Sequence, residues 1–175
     1  MYVKIFIFTL MLLMHNESLY AESGVSADSF FNMSLGDLQE DLELSKKENK
    51  KGILIMWEIE DCPWCYRMKE TILNQKTVQM YYRKNFLIFS INTTSKAPII
   101  DFKGNTTTEH DMAVKSRAIA TPTFIFYNLK GDPVTRYTGA SKDVDEFMLL
   151  GEYVVSEAYK DKSMPFTKYK NLHRK

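Results

Sequence analysis

Residues 53–59 form an almost unbroken apolar run, Ile53-Leu54-Ile55-Met56-Trp57-Glu58-Ile59, and two residues further on stands Cys62-Pro63-Trp64-Cys65. A continuous apolar stretch of this length fits a strand covered on both faces, which requires a layer on each side of its sheet. Residues 86–92, Phe86-Leu87-Ile88-Phe89-Ser90-Ile91-Asn92, form a second such run, rich in β-branched and aromatic residues. Between them the spacing is helical over 65–74, with Met68, Ile72 and Leu73 on one side, and again over 77–84, with Val78, Met80 and Tyr81. Strand, helix, strand is a βαβ unit, and it places the cysteines on the loop at the carboxyl end of the first strand, a common place for sites in α/β sheets.

The flanking segments extend this plan. Ser34 followed by Asp37 resembles a capping box, and Leu35, Leu38 and Leu42 predict an amphipathic helix that Gly52 brings to a stop. Residues 93–108 are a polar excursion with Pro98 and a turn-like Asp101-Phe102-Lys103-Gly104-Asn105, too long for an ordinary connection and therefore an insertion. A short helix over 109–117 follows, and Thr121-Pro122-Thr123 opens a strand over 124–127. Residues 128–132 read as a hairpin turn into a strand over 134–138, and 143–159 as a closing helix with Phe147, Leu150, Tyr153 and Val154 inward. Two parallel strands and a hairpin make a mixed sheet flanked by helices.

The cysteines are the only two in the chain. A structural zinc site needs four ligands, and outside the pair there are only His15, His110 and His173. Covalent haem attachment requires histidine after the second cysteine, where Tyr66 stands. A purely structural bridge would close so small a loop that it removes little entropy from the unfolded chain. These weights favour redox chemistry: two thiols at a helix start share a disulfide, and the helix amides make the first, Cys62, the more acidic. As a thiolate Cys62 attacks a substrate disulfide, and Cys65, the more buried, resolves the mixed disulfide.

Lys4, an uncharged stretch over 5–14 and Ala21 describe a secretory signal peptide over residues 1–21, since ten apolar residues are too few to span a bilayer as a helix. Leu19 is not the small residue preferred three positions before a cut, so an uncleaved membrane anchor is the rival. The remainder, 22–175, has the length of one domain. Its formal charge of +1 gives no case for nucleic acid binding. Export puts the thiols where a disulfide persists. The lysine-rich end, about 160–175, is expected to be solvated and mobile.

A Cys-x-x-Cys after a buried strand and a Thr-Pro opening the next-to-last hairpin, in this order of elements, resemble the thioredoxin superfamily over about residues 35–160. Glu58, the Cys-Pro-aromatic-Cys with Arg67-Met68, the inserted Asp101-Phe102-Lys103-Gly104, Thr121-Pro122-Thr123-Phe124 and Ala158-Tyr159-Lys160 are similar to the periplasmic SoxW-type thioredoxins of bacterial sulfur-oxidation systems. The resemblance implies a thioredoxin-like α/β fold with an insertion before a cis-proline strand. Pro122 would be cis beside the cysteines, with the Thr121 backbone free to pair with an extended substrate, and Pro63 and Trp64 would shape the rim.

Glu58, four residues before Cys62 in an apolar run, is the candidate to move the proton that Cys65 must lose; the alternative is a strand-end carboxylate reaching water or pairing with a lysine. Cytoplasmic thioredoxins carry an aspartate for this work six positions before the first cysteine, where this chain has Met56. The resemblance further implies a monomeric, cofactor-free periplasmic reductase of protein disulfides. A membrane thiol transporter of the DsbD or CcdA kind would supply its electrons, and a sulfur-oxidation or cytochrome-maturation protein would receive them. A disulfide-introducing oxidase and a non-catalytic thioredoxin-like binding module remain open. A glutaredoxin is disfavoured because Gly139-Ala140 does not match the glycine pair that cradles glutathione.

Overall fold

The computed structural model describes residues 25–173, so the leader expected over 1–21 lies outside the described residues. A four-stranded mixed sheet runs in the order 86–92, 52–58, 123–127, 133–138. Strand β1 (Gly52–Glu58) lies parallel to β2 (Phe86–Asn92) and antiparallel to β5 (Thr123–Tyr127), which pairs antiparallel with β6 (Pro133–Thr138). Side chains alternate across a strand, so β1 feeds two cores at once. Leu54 and Met56 face one core with Phe124, Phe126 and Phe147, while Ile53, Ile55 and Trp57 face the other with Phe89, Ile125 and Met112. That double burial is why the run over 53–58 is apolar without alternation.

The second of these layers is covered by α1 (Leu38–Lys47) and α4 (Glu109–Lys115); the first by α2 (Pro63–Met68), α3 (Lys76–Asn85) and α5 (Val144–Val155). Tyr82 of α3 stacks on Phe147 of α5 with ring centroids 4.6 Å apart, and the ring of Phe86 at the start of β2 lies close by, so the two helices are locked over the sheet.

Several boundaries differ from the sequence reading. Asp37, not Ser34, caps α1, its carboxylate accepting from the amides of Gln39 and Glu40, which leaves Leu35 outside the helix and 91 % exposed. The helix expected over 65–74 is α2 followed by a single π turn, Lys69–Leu73; Ile72 and Leu73 are both buried four and five residues after Met68, a spacing that wider turn brings to one face. In α3, Val78 and Tyr82 are fully buried and Tyr81 packs partly buried on the same core, whereas Met80 is exposed. The insertion carries a small sheet of its own, β3 (Pro98–Ile100) against β4 (Thr106–Thr108). Its turn is built on Asp101, whose carboxylate accepts from the amides of Lys103 and Asn105.

The closing helix stops at Val155, after which Glu157 turns left-handed (φ 59). The basic end is not a free tail. Residues 166–173 form α6 (Phe166–His173), whose Phe166 and Tyr169 pack on Tyr153, with Lys170 2.8 Å from the buried Glu146 of α5. Aromatic side chains three residues apart supply an apolar stripe among the lysines, enough to dock the segment.

Candidate active site

Strand β1 delivers the chain to the surface at Glu58, and the loop of residues 59–61 turns it back into α2. Asp61, directly before the first cysteine, takes a left-handed conformation (φ 54) and does not cap the helix. The cap is Cys62 itself, whose Sγ accepts from the Cys65 amide at 3.1 Å, with Pro63 in the first helical position, where its missing N–H costs no hydrogen bond. Cys62 and Cys65 are joined as a disulfide. Both are buried, Cys62 at 9 % exposure and Cys65 at 2 %, so the first is the less covered of the two.

The Thr121–Pro122 peptide bond is cis. The Thr121 hydroxyl lies 3.4 Å from Cys62 Sγ. The Pro122 carbonyl accepts from the Gly139 amide at 2.8 Å, and two residues on, Ser141 donates its amide to Met68 Sδ at 3.1 Å. Arg67 closes the same loop by donating to the Lys142 carbonyl while its guanidinium lies 5.7 Å from the Trp64 ring centroid. One short loop thus holds both the proline segment and the helix of the cysteines. Trp64 remains 57 % exposed, a large side chain between the two cysteines in sequence, and Pro63 is exposed with it.

Below the disulfide a cleft of about 610 Å³ is lined by Glu58, Cys62, Cys65, Tyr66, Lys69 and Asn92 among others. Glu58 projects from the end of β1, with its side chain 17 % exposed. Lys69, the first residue of the π turn, places Nζ 2.8 Å from each of its carboxylate oxygens, and the Ser90 hydroxyl of β2 donates to Oε1. The carboxylate therefore both pairs with a lysine and opens on the cleft that Cys65 lines. Lys69 and Ser90 were not legible as site residues. Ser90 is the one hydroxyl in an apolar strand, and the parallel register, Met56 against Ser90 and Glu58 against Asn92, is the signal that would have placed it beside Glu58. Among the described residues no group of three or more His, Cys, Asp or Glu side chains is placed to hold a metal ion.

The disulfide-bonded Cys62–Cys65 pair thus opens a helix beside the cis Thr121–Pro122 segment. The family model of the thioredoxin-like domain matches residues 38–154, and the chain belongs to that family. No curated protein matches the sequence. Among solved structures it is similar to a thioredoxin-fold protein from Helicobacter pylori, at 17 % identity and TM-score 0.65 over 83 % of this chain and 90 % of that one. It is similar also to a thioredoxin from Thermus thermophilus, at 22 % and TM-score 0.52 over 82 % and 98 %. A third likeness is to the reduced DsbD C-terminal domain of Neisseria meningitidis, at 20 % and TM-score 0.50 over 66 % and 91 %. At these identities the likenesses establish the fold.

Proposed function

We propose that the protein is a periplasmic thiol–disulfide oxidoreductase acting as a monomeric reductase of protein disulfides through Cys62 and Cys65, close to the SoxW type. The observation that carries the reading is the asymmetry of the pair: Cys62 is the less covered of the two and accepts the Cys65 amide, while Cys65 is only 2 % exposed. An amide directed at Sγ favours the thiolate over the thiol. The Cys62 thiolate attacks a substrate disulfide, expelling one substrate thiolate and forming a mixed disulfide. Cys65 gives its proton to the Glu58 carboxylate across the cleft and attacks Cys62 Sγ, so that the internal disulfide forms and the second substrate sulfur leaves as a thiolate. Two electrons pass from protein to substrate.

Trp64, Pro63 and the Thr121–Pro122 segment surround the attacking sulfur and form the substrate platform, with an extended segment pairing along the Thr121 backbone. The signal-peptide pattern read over residues 1–21 supports the periplasmic assignment. The resemblance supports the partners: a DsbD- or CcdA-type membrane donor, in line with the fold likeness to a DsbD C-terminal domain, and a recipient in sulfur oxidation or cytochrome maturation.

The test is the reduction potential of the Cys62–Cys65 pair, measured against glutathione buffers by thiol alkylation, together with turnover of a protein disulfide. A value near that of reducing thioredoxins, about −270 mV, with catalytic reduction of the substrate supports the reading; a value near about −120 mV marks an oxidase. Binding to a disulfide-bearing partner without any exchange would mark a binding module.

A further inference from the structure

We propose that a cavity between the insertion and the β5–β6 hairpin binds a small aromatic carboxylate, apart from the cleft at the disulfide. It holds about 330 Å³, at the small end of the range for ligand pockets, and shares no lining residue with the cleft below the cysteines. Its floor is apolar and aromatic. Met112 and Ile125 line it at 4 % and 1 % exposure, and the half-buried Phe102 ring lies 4.5 Å, centroid to centroid, from that of Tyr127. Such a ring pair receives a further aromatic ring offset or edge to face. The walls are in direct contact: a Cβ built on Gly131 of the hairpin turn would lie 2.6 Å from Phe102 Cβ, so the inserted turn is seated against the hairpin.

The rim selects for negative charge. Lys103 of the inserted turn, Lys115 and Arg117 at and just after the end of α4, and Arg136 of β6 line the cavity against the carboxylates of Asp101 and Asp132 alone. Asp101 is already engaged, accepting from the Lys103 and Asn105 amides with Lys115 Nζ 3.3 Å away. Arg136 is held in place, its two terminal nitrogens donating to the Arg117 and Ser116 carbonyls. Those bonds engage one N–H on each nitrogen and leave the rest of the guanidinium fork for a carboxylate. Burial pushes the Tyr127 phenol up, and the Arg136 charge is among the influences that lower it, so the guanidinium acts on the floor as well as on the rim. A flat ring on Phe102 and Tyr127 with its carboxylate among these cations satisfies both halves of the cavity, and it gives the insertion a role, since the insertion supplies Phe102 and Lys103.

The experiment titrates the oxidised, isotope-labelled full chain with 2-naphthoate at low salt and pH 7 and follows the backbone amide shifts. A Kd of about 1 mM or tighter is expected, the affinity a ligand of this size reaches at ordinary efficiency. The shifts should centre on residues 102–103, 115–117, 125–127 and 131–136 and spare Cys62 and Cys65. Neutral 2-naphthamide should bind at least about fivefold more weakly, as should 2-naphthoate in about 0.5 M salt. Cyclohexanecarboxylate, which has the charge without the aromatic face, should bind at least about threefold more weakly. Lys103→Met, with an exposed side chain, should weaken 2-naphthoate about threefold or more, and Arg117→Met should do the same from the opposite wall.

No shifts up to about 5 mM, or shifts centred on Cys62 and Trp64, overturn the site. Equal affinity for 2-naphthamide, or parent-like binding by both Lys103→Met and Arg117→Met, overturns the selection for an anion, and equal affinity for cyclohexanecarboxylate overturns the selection for an aromatic ring. Binding of an acidic peptide with a central phenylalanine in place of 2-naphthoate makes the cavity a docking point for a protein and overturns the small-ligand assignment. The amide spectrum of each variant reports its fold directly. Disulfide exchange by the same variants is measured alongside and should equal the parent's, so a failure here leaves the exchange reading standing.

Discussion

The ion pair that docks the C-terminal helix gives a stability prediction whose size follows from its burial. Glu146 of α5 has 8 % side-chain exposure and lies 2.8 Å from Lys170 of α6, which has 22 %. Its other side-chain donor is the Tyr137 hydroxyl at 3.3 Å; burial, and then the charge of Glu146, push that phenol up to about 12, so it stays a donor at neutral pH. Removing one partner of a fully buried pair costs about 3–5 kcal/mol, because the other charge is left in a poor solvent. Lys170 keeps contact with water, so part of that cost is screened, and Lys170→Met is expected to destabilise by about 2 kcal/mol. With a urea slope of about 2 kcal/mol/M for a domain of this size, the midpoint falls by about 1 M. The double variant Lys170→Met/Glu146→Gln removes the stranded charge but keeps an acceptor for Tyr137, and should return to within about 1 kcal/mol of the parent. Equilibrium urea unfolding at pH 7 of the parent, both single variants and the double closes the cycle. A Lys170→Met variant as stable as the parent, or single costs that simply add, would refute the reasoning and return residues 160–175 to a solvated tail.

Gly52 begins β1 at φ 153, and a Cβ built there would lie 2.0 Å from the Tyr127 carbonyl oxygen of the paired strand; Gly52→Ala should therefore cost about 2–4 kcal/mol in urea unfolding, and a loss under about 1 kcal/mol would contradict the packing at this strand end. Asp101 is raised by burial but lowered more by the amides of Asn105 and Lys103, the Asn105 side chain and Lys115, for a net value of about 2 against an ordinary 3.8. A depressed acid stabilises the fold fully above its unfolded value and loses that contribution as pH falls through its folded value. The stability gap between parent and Asp101→Asn should then be full at pH 7 and shrink between about pH 4 and pH 2; a gap unchanged at pH 2 would show that the charge of Asp101 is not what holds the turn.

The central strands were legible because burial on both faces keeps them almost continuously apolar: residues 86–92 match β2 from end to end, and the run over 53–59 overshoots β1 by one residue, Ile59. The cysteine pair was legible from its place after such a strand. What escaped depended on non-local geometry. Ser34 and Asp37 both have capping side chains, and only the exposure of Leu35 shows which one begins the helix. The three-residue strands β3 and β4 are too short to carry an alternation, and their pairing is set by a turn whose carboxylate is tied down locally. Lys69 reads as one more polar residue on a helix, because neither the π turn that begins with it nor the strand register that sets Ser90 beside Glu58 is written in any local pattern. The docking of α6 depends on Phe166 and Tyr169 meeting Tyr153, a contact invisible beneath the lysines around them.

The division of labour between the two sulfurs is tested most directly by trapping. Reduced Cys65→Ser and Cys62→Ser proteins are each mixed with one equivalent of a peptide disulfide at pH 7, quenched with acid, and mapped by mass spectrometry. With Cys62 beside Thr121 and less covered than Cys65, Cys65→Ser should accumulate a one-to-one mixed disulfide on Cys62 that persists for want of a resolving thiol. Cys62→Ser should remain largely unmodified over the same time. An adduct that forms as fast on Cys65 as on Cys62, or no adduct on either, would contradict the account.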